Sequence, residues 1–77
     1  MTDIVKAARF KCRHRTWEVE LLADARVVLY VHPTGSDDYQ GREPSGSGRW
    51  DAAHERVDLD APDPDLARAA TDALRRS

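Results

Sequence analysis

The chain has 77 residues, with 12 basic against 14 acidic side chains and a formal net charge of −2. At this length folding hides only about 60–65% of the unfolded chain's surface, so one small domain of marginal stability is expected, and a homodimer would relieve the shortage. The single cysteine, Cys12, excludes an intrachain disulfide and suits a reducing cytoplasm, and no apolar run is long enough to span a bilayer.

Residues 1–4 lack a charged segment followed by an apolar stretch, so no secretory signal is expected. Arginine dominates the bases and aspartate the acids. That bias is the mark of GC-rich bacterial coding, so the arginine content is not in itself a chemical signal. Charge is distributed unevenly. Residues 6–15 carry Lys6, Arg9, Lys11, Arg13 and Arg15 with no acid, whereas residues 37–65 carry nine acids against three arginines. Such a gradient marks either an interaction surface or two facing elements that neutralise each other.

In chain order, residues 7–14 read as a strand with Ala8, Phe10 and Cys12 on one face and Arg9, Lys11 and Arg13 on the other. A helix beginning after Thr2 competes, because Ile4, Ala7 and Ala8 have helical spacing. Residues 16–32 carry two runs of β-branched and aromatic residues around a short polar break, the pattern of an antiparallel hairpin. A three-residue loop, Ala23 to Ala25, sets Trp17 opposite Val31, Val19 opposite Leu29 and Leu21 opposite Val27. It buries that face and leaves Glu18 and Glu20 beside Val28 and Tyr30 on the wetter one. A two-residue loop would slip the register by one, and it lacks the glycine that a tight primed turn prefers.

Residues 33–49 hold every glycine, two of the four prolines and little apolar beyond Tyr39. They read as a flexible loop, with disorder expected from Gly41 to Gly48. Trp50, Ala53 and Val57 have helical spacing, yet Arg56 to Asp60 before Pro62 favours an acidic edge strand. The last element is a helix. Asp63 caps it, Pro64 takes the first helical position, and Leu66, Ala69, Ala70, Ala73 and Leu74 form one buried stripe. The expected fold is therefore α+β, a three- to four-stranded antiparallel meander with the C-terminal helix packed on the Trp17 face.

No stretch supplies a decisive chemical motif. Arg9, Lys11 and Arg13, extended by Arg15, would project from a strand about every 6.8 Å, which suits backbone phosphates of a nucleic acid. The competing reading pairs that stripe with Glu18 and Glu20 across the strands. Cys12, His14, His32 and His54 are the available soft ligands, but their spacing matches no zinc module, so no metal and no cofactor are expected. A nucleophile elbow and a phosphate loop are both missing from the sequence, and a domain this small leaves little room for a substrate pocket, so catalysis is not expected. The reading that remains is a non-enzymatic, cytoplasmic, regulatory or accessory protein that binds another protein through Tyr30, Tyr39 and Trp50, aromatics of the kind that anchor interfaces. Its alternative is a nucleic-acid-binding regulator using Arg9, Lys11, Arg13 and Arg15.

Overall fold

The computed structural model describes residues 3–32 and 43–77. The hairpin lies at its centre. Strands β2 (Arg15–Leu22) and β3 (Arg26–Val31) pair in the expected register, Trp17 with Val31, Val19 with Leu29 and Leu21 with Val27. The loop closes with Ala25 in the left-handed region (φ 70°) and its N–H donating to the Leu22 carbonyl at 3.0 Å. Asp24 supplies what glycine does not: its carboxylate accepts from the Arg26 N–H at 3.1 Å and from Arg26 Nε at 3.0 Å.

Strand β1 (Ile4–Cys12) precedes the hairpin and pairs antiparallel with β2, so the helical alternative for the first residues does not hold. It starts earlier and ends sooner than the expected 7–14. Arg13 and His14, both at positive φ (54° and 63°), form a two-residue turn between Cys12 and Arg15. Such turns need two left-handed residues, normally Asn and Gly. Here the turn is anchored from outside by two hydrogen bonds from the Arg13 guanidinium to Asp63, at 2.8 and 2.5 Å.

The main correction concerns the expected loop. Residues Glu43–Asp51 form strand β4, paired with β3, so the flexible stretch does not reach Gly48. The remainder of that expectation, residues 33–42 with Tyr39, lies outside the described residues. A strand forms from this unpromising composition because the buried strand β3 needs a second partner for its backbone groups. Gly48 then fits where a side chain would not, whereas Gly46 has room for one. A Cβ on Gly46 would stand 3.5 Å from Leu29 Cδ1, and one on Gly48 would run into the Asp58 carbonyl oxygen. Pro44, which has no N–H to donate, sits opposite Tyr30 where the register shifts.

Strand β5 (Arg56–Leu59) follows a turn with Glu55 at φ 51° and forms the far edge, giving the order β1-β2-β3-β4-β5. Five antiparallel strands in sequence order thus replace the expected three or four, within the same α+β class.

Helix α1 (Pro64–Arg76) begins as expected. The Asp63 carboxylate accepts from the Leu66 N–H at 3.2 Å, and Pro64 lies in the first turn. Leu66, Ala70, Ala73 and Leu74 are buried, with Ala69 packed beside them. The helix touches β1, β2 and β5, so the curled sheet brings both of its edges to one helix. On the β5 side the Val57 N–H donates to Thr71 Oγ1 at 2.8 Å, while that hydroxyl donates to the Ala67 carbonyl at 2.7 Å. On the β1 side Lys6 Nζ donates to the Leu74 carbonyl at 3.2 Å. Each contact ties one edge strand to the helix.

Trp17 is 8% exposed and lies in the core with Phe10, Val19, Leu29 and Val31, its indole N–H donating to the Cys12 carbonyl at 3.0 Å. The other face of β2 is not the wet surface expected. Glu18 and Glu20 are buried at 5% and 6% exposure. As inner-strand residues they are flanked by β1 on one side and β3 on the other. Glu18 is paired with Arg9 at 3.1 Å and lies 3.5 Å from Nε2 of the buried His32. Buried carboxylates persist only where such partners compensate them.

Candidate functional site

Alternation along the strands sorts the candidate residues before any pocket is considered. Tyr30 pairs with Glu18 and so lies on the outer face. Trp50 pairs with Val57, a core residue, and packs half-buried on the helix side. The two aromatics expected to form one contact surface therefore stand on opposite faces of the sheet.

The basic stripe is divided as well. Arg9 and Lys11 stay on the outer face, but Arg9 is occupied by Glu18. Arg13 leaves the strand for the turn and binds Asp63 at the start of α1. That contact holds the Asp63 carboxyl below its ordinary value and raises the Arg13 guanidinium. Arg15 donates to the His32 carbonyl at 3.2 Å. Three of the four cations thus serve the fold, but only Arg9 does so through the expected cross-strand pairing, with Glu18.

The soft ligands are likewise apart. Cys12 packs against the core on the helix side, and His32 lies beside Glu18 on the outer one. His54 is exposed and held by Asp51, whose carboxyl that hydrogen bond of 2.8 Å keeps below its ordinary value.

What the structure does assemble is a groove at the open end of the curled sheet, beside the last turn of α1. It is lined by Val5, Lys6, Leu21, Trp50, Glu55, Leu74 and Arg75 and has a volume of about 420 Å³. A bulge in β1 creates part of it. Ile4 pairs with Leu22 and Lys6 with Leu21, leaving Val5 as the extra residue. A bulge re-aims side chains, and here Val5 joins Leu21 on the wall of the groove. Ile4 and Val5, at 53% and 61% exposure, are the exposed large hydrophobic residues among those described.

Chemically, the groove sets the apolar side chains of Val5, Leu21 and Trp50 among the charged ones of Lys6, Arg75 and Glu55, so it can take an apolar side chain together with polar groups beside it. Of its residues only Trp50 was legible as a candidate in the sequence. Val5 was concealed because a bulge leaves no composition signal, and Leu21 and Leu74 read as ordinary core. The pair Ile4–Val5, apolar and next to a run of cations, was the available clue.

No helix among the described residues is long and apolar enough to cross a membrane. Comparison with protein-family models, with characterised proteins and with solved structures finds none that matches this chain.

Proposed function

We propose that the protein is a non-enzymatic accessory or regulatory protein of a bacterial cytoplasm that acts by binding another protein, and that the Trp50 groove with its Val5 rim is the contact site. The observation that carries this reading is the placement of Val5, exposed on an edge strand beside the equally exposed Ile4 and lining one groove with the half-buried Trp50. Water-exposed aliphatic side chains beside an aromatic groove are the usual make-up of an interface core. The bulge adds weight, since a regular strand would pack Val5 differently and leave the groove without that wall. In this reading Trp50 is the anchor and Tyr30 is not. Arg9, Arg13 and Arg15 are structural cations, which removes most of the support for nucleic-acid binding.

The reading is tested by capture from a cell extract with the immobilised chain, with and without nuclease. Val5→Asp should abolish capture of a specific protein, nuclease should leave it unchanged, and Lys11→Glu on the outer face should leave it intact. Capture that survives Val5→Asp but is lost with nuclease or Lys11→Glu overturns the proposal in favour of nucleic acid.

A further inference from the structure

Arg75 borders more than this groove. A second cleft of about 570 Å³ shares that residue and runs between β5 and α1, lined among others by Arg56, Arg68, Thr71 and Asp72. Together the two hollows are walled by four cations, Lys6, Arg56, Arg68 and Arg75, against three acids, Glu55, Asp58 and Asp72. Asp58 also has Arg49 directly across the strand pair. The lining therefore carries one more cation than acid in a chain whose net charge is −2.

Lys6 is spent on the Leu74 carbonyl, but the two helix cations are not. Among the described residues Arg68 and Arg75 form neither an ion pair nor a side-chain hydrogen bond, and Arg56 has only a 3.9 Å approach to Asp51. Arg68 and Arg75 stand seven residues apart on one helix face, roughly 10 Å along the axis, a distance that about three residues of extended chain would cover.

We propose that the occupant of this site is an extended acidic segment of another protein. One apolar side chain of the segment is seated among Val5, Leu21 and Trp50, and the carboxylates that follow it lie along Arg75 and Arg68. The inference rests on the groove being the protein-binding site and adds the chemistry of the partner. A second copy of the chain is the poorer occupant. Its exposed apolar pair, Ile4 and Val5, is followed by Lys6, Arg9 and Lys11, so docking it here would bring cations against Lys6 and Arg75.

The probes are two short synthetic peptides, a leucine followed by glutamates and the same leucine followed by lysines. Binding to the full chain is followed by NMR on the indole N–H signals of Trp50 and Trp17. The buried, hydrogen-bonded Trp17 serves as the internal control for an intact fold. The acidic peptide should shift Trp50 and not Trp17, bind about tenfold more tightly than the lysine peptide at low salt, and lose that advantage as salt is raised. The double variant Arg68→Glu with Arg75→Glu should abolish the preference while the Trp17 signal stays in place.

Equal binding of the two peptides would overturn the acidic partner while leaving the groove as a binding site. Failure of both to move Trp50 at millimolar concentration would overturn both proposals. A Trp50 signal that shifts with protein concentration alone would show a second copy in the groove and would also overturn the acidic partner.

Discussion

Trp17 and Trp50 lie on the same side of one sheet and do different work. Trp17 is enclosed by the hairpin, β1 and α1, and its N–H is spent on the Cys12 carbonyl. Trp17→Ala should therefore cost about 3–5 kcal/mol, enough to unfold much of a domain this small, as measured by urea denaturation. Trp50 is half-buried, and Trp50→Ala should cost about 1–2 kcal/mol while removing partner binding. A Trp50 variant as destabilised as the Trp17 variant would contradict the division of labour. Trp17 was legible because strand alternation and its aliphatic neighbours agree. Trp50 was legible only as an aromatic, since its face depends on a strand whose glycines hide it.

Arg13 makes a second residue-scale case. Its guanidinium holds the Asp63 carboxyl below the ordinary value of 3.8, first by hydrogen bonding and also by charge. A carboxyl depressed in the folded state contributes stability above its unfolded value and loses it as the pH falls through the folded one. Arg13→Ala should thus raise the Asp63 titration midpoint toward the ordinary value, read from the carboxyl carbon by NMR. The stability gap between wild type and variant should close as the pH drops through that midpoint. Both groups are solvent-facing, so the gap is small, and an unmoved Asp63 midpoint would show that the pair is not formed.

Among elements, β4 is the one that composition concealed. Proline, serine and glycine were read as linker because side-chain propensity was taken as the signal. In this strand the signal is instead the unpaired backbone of β3 and the space that only a missing side chain can leave. Gly48 carries that requirement most sharply. A Cβ there would meet the Asp58 carbonyl oxygen and come within 2.8 Å of Leu59 Cα, both backbone atoms that cannot swing aside. Gly48→Ala should cost about 2 kcal/mol or more by forcing β4 and β5 apart, seen as a lowered denaturation midpoint. It should also speed amide exchange in β5. Unchanged stability would mean that the two strands are not so closely paired. The hairpin register and the start of the helix, by contrast, were legible in the sequence. Each announces itself locally, through alternation in one case and through a cap, a proline and a spaced apolar stripe in the other.

On the scale of the whole molecule, a 77-residue chain closes its sheet by curling both edges onto a single helix, through Thr71 on one side and Lys6 on the other. That closure leaves Ile4 and Val5, the exposed large hydrophobic residues among those described, at the end of β1 beside the last turn of α1. The gradient from a basic start to an acidic middle, visible in the sequence, is partly absorbed by this closure, for Arg13 meets Asp63 across it. The curl itself was not legible, because it depends on five strands being present and only four had a side-chain signature. The groove could not be inferred without it.

The most direct test of the groove as the working surface is site-specific photo-crosslinking in living cells, with a photoreactive amino acid placed at Val5 and, in a second chain, at Lys11 on the opposite face. A discrete protein adduct from position 5, absent from position 11 and lost when Trp50→Ala is added, is the predicted result. Adducts from position 11 alone, or from neither position, would contradict it.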